Sequence, residues 1–427
     1  MDLIGNSIYA LAVRLFPICR SITGDGVRQT LRIIADELPG LTIHEVPTGT
    51  QAFDWVVPRE WNVRDAYVLD PHGKKIIDFT ESSLHLVGYS TPICQKVSLS
   101  ELQEHLYSLP EQPDAIPYIT SYYKERWGFC ITENQRKTIT EEGEYTVMID
   151  SDLKDGHLTY AELLIRGDRK EEIFFSTYIC HPSMGNNELS GPTVTTFLAK
   201  WLVSQKRKFS YRIIFIPETI GSLTYLSLHL DEMQRCIVAG YNVTCVGDDR
   251  CYTFLPSRSE DSLADRVALH VLTHLHPDFI RYSYLDRGSD ERQYCAPGVD
   301  LPVASVMRSK YGTYPEYHTS LDNLKLITPS GLQGTYEVLQ KCIECLEADE
   351  RLKVTVLGEP QLGKRGLYPT LSTKQTDAQV RDMMNLITYC DGSRTLLEIA
   401  EKINVPMWDL IPIVKTLKDQ NVLETIE

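Results

Sequence analysis

Apolar runs that alternate with helical patterns predict a mostly parallel α/β sheet flanked by helices. Ile173–Cys180 and Tyr211–Ile216 are short, apolar and rich in Phe, Tyr and Ile, which is typical of strands buried on both faces. Further strands are predicted at Leu41–Val46, Glu144–Ile149, Tyr160–Ile165, Val238–Val246 and Leu301–Val306. Helices are predicted at Ser7–Phe16, Gly26–Leu38, Leu223–His229, Leu263–Leu275 and in runs that open at Pro192 and Pro329.

The pattern changes between about Phe53 and Glu144, where short alternating segments are separated by Pro, Gly and Asp. These segments predict a small inserted β-rich domain over residues 53–144, with strands at Ala66–Leu69, Lys75–Phe79 and His85–Val87. The aromatic segment Tyr118–Phe129 (YITSYYKERWGF) lies inside it. We expect hairpin packing for that segment, ahead of a loop that faces a substrate.

The last part of the chain predicts a winged helix over residues 366–427, after a Gly- and Pro-containing linker at Leu357–Pro369. Its predicted elements are helices at Asp377–Cys390, Leu396–Ile403 and Met407–Gln420 and a strand at Val422–Ile426. Thr395 stands three residues before Glu398, which is the spacing of a capping box. The remaining residues, 1–52 and 145–350, are assigned to one discontinuous α/β domain.

Composition narrows the class of protein. A net charge of −15 argues against a general nucleic-acid binder, and residues 366–427 carry 6 Lys and Arg against 9 Asp and Glu. The odd number of cysteines, 11, is typical of buried thiols in a reducing compartment. Because the chain has no long uncharged apolar run and its first residues do not resemble a signal peptide, we expect a cytoplasmic protein without a membrane partner.

Polar residues follow several predicted strands. His181 and Glu188 come after one strand, Glu218 after the next and Asp248 after a third, while His318 lies in a later loop preceded by Asp290 and Glu291. The carboxyl ends of neighbouring parallel strands meet at one edge of a sheet. Two imidazoles with several carboxylates suit a zinc hydrolase, although a single His at a strand end is more often structural.

Six segments together resemble the aminopeptidase-like domain family, a branch related to the co-catalytic zinc aminopeptidases, with an inserted β-rich domain and a C-terminal winged helix. The resemblance covers nearly the whole chain. The segments are Arg20–Leu31 (RSITGDGVRQTL), Tyr122–Cys130 (YYKERWGFC), Cys180–Pro192, Pro217–Ser222 (PETIGS), Ser289–Val303 and Tyr317–Asn323 (YHTSLDN).

The resemblance implies a role for individual residues. His181 and His318 match the two metal-binding histidines, and Glu218 matches the catalytic glutamate. The aspartate that bridges two metals in the classical enzymes is Asn187 here, with a carboxylate one residue later at Glu188. Thr219 and Thr244 stand where two further acidic ligands are expected, with Asp248 just beyond the second.

These matches imply one or two zinc ions, and neutral Asn187 weakens the case for the second. The expected metal ligands are His181 and His318 with Glu188 or Asp248. Glu218 is the expected general base, and a group of four residues is expected to contact the substrate: Asn187, Asp290, Glu291 and Tyr317.

Three functions remain open from the sequence. The first is a metal-dependent hydrolase that cleaves a peptide or other amide bond in a small substrate, which the resemblance associates with biosynthetic pathways. The second is a catalytically inactive aminopeptidase-like protein that serves as a binding or assembly module, with self-association through the inserted domain or the winged helix. The third, a transcription regulator, lacks the basic recognition helix that DNA reading requires.

Overall fold

The structure, a computed structural model, describes residues 4–367 and 374–426. The chain divides into two compact units, one formed by Met1–Asp265 and Phe279–Glu337 and the other by Arg266–Asp278 and Val338–Glu427. The predicted class is confirmed, because a large mixed sheet flanked by helices dominates the first unit and a winged helix lies in the second.

An eight-stranded sheet forms the centre of the first unit, in the order β1-β2-β4-β3-β5-β8-β6-β7. Its strands are β1 (Thr42–Pro47), β2 (His157–Ile165), β3 (Glu172–Tyr178), β4 (Ser210–Ile216), β5 (Ile237–Asn242), β6 (Thr253–Leu255), β7 (Ile280–Arg281) and β8 (Val303–Met307). The neighbours β4, β3, β5 and β8 run parallel, whereas β1, β2 and β6 join antiparallel. Every residue of β3 and β4 is buried, which explains why their sequences are mostly apolar, and the two charged exceptions, Glu172 and Arg212, form an ion pair with each other.

The helices close to the predicted ones are α1 (Ile4–Leu15), α2 (Asp25–Glu37), α3 (Ser190–Val203), α4 (Ile220–Cys236), α5 (Leu263–Leu275) and α6 (Pro329–Ala348). Three shorter helices are Leu99–Glu104, Glu133–Arg136 and Glu291–Tyr294. Among the described residues, none of the helices has both the length and the apolar character that crossing a membrane requires.

The polar turn after β3 is more regular than its sequence predicts. Gly185–Leu189 forms one wide π-helical turn that leads directly into α3, so Pro192 lies in the first turn of the helix and not at its start. A Cβ at Gly191 would lie 2.3 Å from the carbonyl oxygen of Val243, beyond the end of β5. The close approach of this helix to the sheet therefore requires glycine.

The inserted segment contains a four-stranded antiparallel sheet, in the order Lys75–Asp78, Glu60–Leu69, Glu144–Lys154 and Ile93–Ser98. Its third strand continues ten residues past the predicted boundary at 144. Two-residue strands add the pairs Gln51–Ala52 with Trp55–Val56 and Leu106–Tyr107 with Phe129–Cys130. The strand predicted at His85–Val87 was wrong, because Ser83–His85 is a short 3₁₀ helix capped by the Ser82 hydroxyl.

The aromatic segment Tyr118–Phe129 is a loop, so the expected hairpin was wrong. Its last residue, Phe129, begins a two-residue strand, and the rest is tied to its surroundings by single backbone contacts such as the bridge between Gly88 and Thr120 and the hydrogen bond from the Tyr118 N–H to the His318 carbonyl oxygen. We call residues 118–123 the aromatic loop. Its side chains contact the histidines described below, which is why the segment does not follow the alternation of a packed hairpin.

The second unit contains a three-stranded antiparallel sheet and three helices: Arg351–Val354, Asp391–Thr395, Leu423–Ile426, α7 (Lys374–Tyr389), α8 (Leu396–Ile403) and α9 (Met407–Asp419). The predicted capping box is confirmed, since the Thr395 side chain accepts from the Glu398 N–H and Glu398 accepts from the Thr395 N–H. Arg351–Val354 is the central strand and precedes the predicted linker, whose residues 368 and 369 lie outside the described residues.

Candidate functional site

A cleft of about 360 Å³ lies in the first unit. His181 and Glu218 reach it from the ends of β3 and β4, and His318 reaches it from the loop before α6. These are the two histidines and the glutamate that the sequence singled out. The structure brings them together because β3 and β4 are parallel neighbours whose carboxyl ends meet.

His181 is held from behind by buried charges. Its Nδ1 lies 3.0 Å from Oε2 of Glu188, and Oε1 of Glu188 accepts a hydrogen bond of 3.1 Å from Nε of Arg20. The Arg20 Nε also donates to the His181 carbonyl oxygen at 3.0 Å. The side chains of Arg20 and Glu188 have no exposed surface. We call Arg20, Glu188 and His181 the buried relay.

The relay fixes the orientation of the His181 ring. Because Nδ1 donates to a carboxylate, Nε2 is the nitrogen that faces Glu218, at 3.8 Å from its Oε2. Burial lowers the pKa of His181, but the adjacent Cys180 sulfur and the Glu188 carboxylate outweigh it and hold that pKa well above its ordinary value. Carboxylates in this position are common behind metal-binding histidines.

Glu188 therefore lies close to the expected metal position but on the far side of His181. The atoms that could hold a metal in the group Cys180, His181 and Glu188 lie within 4.8 Å of one another. However, both Glu188 oxygens already accept hydrogen bonds, one from Arg20 and one from His181. Its carboxylate orients the histidine and does not face the cleft.

Glu218 has the environment of a general base. Its Oε1 accepts a hydrogen bond of 2.9 Å from the Ser289 hydroxyl, and its own N–H contacts the Cys180 sulfur at 3.3 Å. Burial raises the pKa of the Glu218 carboxyl, which brings its basicity closer to that needed to take a proton at neutral pH. Its side chain keeps 22% of its surface exposed, so it remains accessible from the cleft.

His318 completes the pair of imidazoles. Its ring stacks on Tyr317 at 3.9 Å between centroids and lies 5.4 Å from the ring of His181. Burial, followed by the neighbouring His181, lowers the pKa of His318 to about 3, so the ring is neutral. Its Nε2 is buried and has no hydrogen-bond partner among the described residues. A buried imidazole nitrogen without a partner, beside a second imidazole, fits a metal ion.

Asn187 belongs to a separate, uncharged group of side chains. The Tyr178 hydroxyl donates to Oδ1 of Asn187 at 2.9 Å and lies 2.5 Å from the Thr244 hydroxyl oxygen. All three residues are buried. We call Tyr178, Asn187 and Thr244 the neutral triad. Asn187 and Thr244 stand at two of the three positions where the resemblance implies acidic ligands, and neither side chain carries a charge.

The third such position, Thr219, has a positive φ of 63°, which is rare for a β-branched residue. Its N–H donates to Oδ1 of Asp290 at 2.7 Å, and its hydroxyl accepts from Nη2 of Arg292 at 2.7 Å. Ser222 donates to the same Asp290 oxygen. Asp290 thus stabilises the turn that carries Glu218. Burial, and to a lesser extent the charge of Glu218, raises the pKa of Asp290.

The structure does not bring the other predicted acids to the cleft. Asp248 is buried and accepts hydrogen bonds from Asn186, Ser309 and the Arg250 N–H, which fixes the loop after β5. Glu291 is also buried and accepts from a group of four neighbours: Gly288, Ser289, Asn242 and Tyr311. The sequence spacing could not distinguish acids that fix loops from acids that face the cleft.

The aromatic loop lines the cleft, an arrangement that the sequence analysis had ranked second to a packed hairpin. The Tyr118 ring lies 5.1 Å from His181 and 5.2 Å from His318, and its hydroxyl bonds to that of Tyr122 at 2.8 Å. Arg292 also lines the cleft. The signal was present, because both Tyr118–Phe129 and Arg20–Leu31 stood out as unusual segments, but their partners lie far away in sequence.

Comparisons with known proteins identify the family and the fold. The model of a family described as a domain of unknown function (DUF4910) matches residues 9–349, and a winged helix-turn-helix model matches residues 350–425. A Clostridium acetobutylicum protein named "Putative polysaccharide biosynthesis protein with aminopeptidase-like domain" is 45% identical over 401 residues, which cover 93% of this chain and 91% of that protein.

Solved structures show the same fold. A "putative peptidase" from Clostridium acetobutylicum is 42% identical, with a TM-score of 0.94 over 99% of this chain and 97% of that one. BSAP, a zinc aminopeptidase from Bacillus subtilis, is 11% identical, with a TM-score of 0.58 over 79% of this chain and 94% of that one. At such low identity the second likeness concerns the fold alone.

Proposed function

The chain belongs to the DUF4910 family, and from that premise we propose that it is a metal-dependent hydrolase that cleaves an amide bond in a small substrate. One observation carries the proposal. Nε2 of His181 lies 3.8 Å from the Glu218 carboxylate, and the His318 ring lies 5.4 Å from the His181 ring in the same cleft. The aminopeptidase-like fold supplies the expected reaction type, hydrolysis of an amide.

The residues fit one zinc ion and not two. His181 and His318 would hold it, with other positions left for water and substrate. When bound, zinc polarises a carbonyl group and lowers the pKa of a bound water molecule. The neutral triad lacks the carboxylates that two adjacent dications need, because an amide oxygen carries no net charge to offset their repulsion.

The chain's own residues perform the proton transfers in this proposal. Glu218 accepts a proton from the attacking water and returns it to the leaving nitrogen, which is the usual cycle of a general base that becomes a general acid. The Ser289 hydroxyl holds one oxygen of that carboxylate and leaves the other facing His181. The buried relay keeps Nε2 of His181 directed at the same point.

The proposal also covers the substrate class and the cellular compartment. The name of the Clostridium acetobutylicum relative suggests a substrate from polysaccharide biosynthesis, which agrees with a cleft sized for a small molecule. All eleven cysteines are free thiols, which supports a reducing compartment such as the cytoplasm.

Elemental analysis of untagged protein tests the metal. We expect about one zinc per chain in the wild type and none in the double variant His181→Ala/His318→Ala. The control variant His72→Ala/His157→Ala removes two histidines outside the cleft and should keep the metal. Absence of zinc from the wild type, even after zinc is added back, would contradict the proposal.

Glu218→Gln separates catalysis from metal binding. The variant should keep its zinc and lose amide hydrolysis by about 10²–10⁴-fold, which is the contribution typical of a general base. The neutral triad also favours a second function, a cleft that binds its ligand without turnover. Wild-type protein that holds zinc but hydrolyses no aminoacyl or acyl amide would support that second function.

A further inference from the structure

The charges that line the cleft differ from those expected of an aminopeptidase, which must hold a free amine. Among the described residues that line it, Glu218 is the one carboxylate, and the proposed function already uses it as the base. Arg292 is the one guanidinium in the same lining. The cleft therefore offers a substrate one guanidinium, whose charge also acts on Glu218, and no second carboxylate.

The two acids that were expected to bind an amine do not line the cleft. Asp290 is fully buried, and its Oδ1 fixes the turn after β4 through Thr219 and Ser222, while its Oδ2 is buried without a hydrogen-bond partner among the described residues. Glu291 is fully buried and satisfied by its loop and by Asn242. Neither residue lines the cleft, so the sequence-based expectation that they pair with a substrate amine receives no support from the geometry.

Arg292 is available for an anion. It is exposed, and its bond to the Thr219 hydroxyl uses one of the five N–H donors of a guanidinium. No described carboxylate lies within ion-pair distance of it, although many arginines of this chain form such pairs. A guanidinium binds carboxylates through two parallel hydrogen bonds, which gives orientation as well as affinity.

The rest of the wall is apolar and aromatic. It contains Trp55, Tyr118, Tyr122 and Tyr123, with Ile22 and Ile220 beside them. Trp55 and Tyr123 pack edge to face at 5.9 Å and keep 42% and 57% of their surfaces exposed. Large exposed aromatic side chains at the mouth of a cleft are typical of surfaces that contact a flat or apolar ligand group.

We propose that the cleft selects an amide that carries a carboxylate and an apolar or aromatic group, with Arg292 as the anion-binding residue and the aromatic loop as the wall for the ring. This inference rests on the proposed function, because it names the substrate class of the same site. It distinguishes the protein from an enzyme that trims peptides at a free amino terminus.

Calorimetric binding of three small probes tests the inference without turnover. The probes share a phenol ring and lack an amide bond: 3-(4-hydroxyphenyl)propionate carries a carboxylate, tyramine carries an amine, and 3-(4-hydroxyphenyl)propan-1-ol is neutral. We expect the carboxylate to bind wild-type protein about tenfold more tightly than the alcohol, and the amine to bind no better than the alcohol.

Variants assign the preference to Arg292. Arg292→Gln should bring the carboxylate and the alcohol within about twofold of each other, while Arg292→Lys should keep part of the preference. The control Arg32→Gln removes an exposed arginine on α2 and should change nothing. Circular dichroism and zinc content of each variant separate loss of binding from loss of folding or of metal.

Several results would overturn the inference. They are equal affinity for the three probes, tightest binding of tyramine, absence of binding by any probe, or a carboxylate preference that survives in Arg292→Gln. The last result would place the anion on the histidines or their metal instead. None of these outcomes affects the proposed function, which depends on zinc content and on hydrolysis in Glu218→Gln.

Discussion

The buried relay and the neutral triad both lie near the end of β3, and they differ in the charge that they bury. The relay places two full charges, Arg20 and Glu188, where neither has exposed surface. The triad joins an amide and two hydroxyls without any charge. Removal of a charge from water is expensive unless it is paired, so the fold maintains the relay at a cost that the triad avoids.

That difference bears on which part of the site takes part in the proposed function. Charges are kept behind His181, whose Nε2 faces Glu218, while neutral groups fill the positions where a second metal would require acids. The comparison therefore supports one metal and one oriented imidazole.

The largest effect is expected from Glu188→Gln. This change leaves the Arg20 guanidinium buried without its carboxylate, and broken buried pairs typically cost about 3–5 kcal/mol. Glutamine has one acceptor oxygen where glutamate has two, so Arg20 and His181 can no longer both be satisfied and the negative charge behind the His181 ring is lost, and zinc affinity should fall by about 10–100-fold. Urea unfolding and zinc titration measure the two effects.

A double variant checks the reason for that loss. Arg20→Met/Glu188→Gln removes both charges, and it should recover much of the lost free energy of unfolding but not the part of the zinc affinity that depends on the carboxylate charge. Equal stability of wild type and Glu188→Gln would show that the pair contributes little, and the contrast with the neutral triad would then disappear.

His270, in the second unit, provides a comparison for His181, because a ring nitrogen of His270 accepts a hydrogen bond where one of His181 contacts a carboxylate. Nδ1 of His181 contacts a carboxylate, whereas Nε2 of His270 accepts a hydrogen bond of 2.9 Å from the Met407 N–H at the start of α9. An acceptor nitrogen must be unprotonated. Burial, helped by His274, accordingly lowers the pKa of His270 to about 4.

The lowered pKa of His270 determines how the free energy of unfolding depends on pH. Above the unfolded pKa of about 6.5 both states are neutral, and the stabilisation is fully present. As the pH falls from about 6.5 to 4, His270 binds a proton in the unfolded chain but not in the folded chain. The free energy of unfolding should therefore drop by about 2–3 kcal/mol. Urea unfolding at several pH values measures this drop. His270→Gln keeps an acceptor without titrating, and its smaller slope would be the control.

Sequence patterns identified six of the eight strands of the central sheet, all except the short β6 and β7, and the convergence of three site residues. Continuous apolar runs identified β3 and β4 because both are buried on both faces. The resemblance then placed His181, Glu218 and His318 at one edge. The role of Glu188 could not be predicted, since its partner Arg20 is 168 residues away in sequence and only the fold brings them together.

The hairpin prediction for the aromatic segment was wrong for a related physical reason. Tyr and Trp are equally suited to a packed hairpin and to the wall of a cleft, because both environments bury an aromatic face and accept a hydroxyl. Local alternation carries no information about which one applies. The contact of Tyr118 with two histidines, 63 and 200 residues further along the chain, decided it.

Asn187→Asp tests the neutral triad by adding a charge to it. The new carboxyl would replace an amide whose Oδ1 accepts from Tyr178, in a buried site without a cation. We expect its pKa to rise, and the free energy of unfolding at neutral pH to fall by about 1–3 kcal/mol. Zinc content should stay at about one per chain because Thr219 and Thr244 still offer no carboxylate. Uptake of a second zinc would contradict this view of the triad.

The smallest effect is expected from Tyr178→Phe, which removes the hydroxyl between Asn187 and Thr244 and leaves the ring in place. The lost hydrogen bonds should lower the free energy of unfolding by about 1–2 kcal/mol, because both former partners stay buried. Zinc content and the affinity for the carboxylate probe should not change, since the ring contact with His181 at 5.2 Å is retained. Loss of zinc from this variant would show that the triad takes part in metal binding, and the division between a charged and a neutral half would then have to be abandoned.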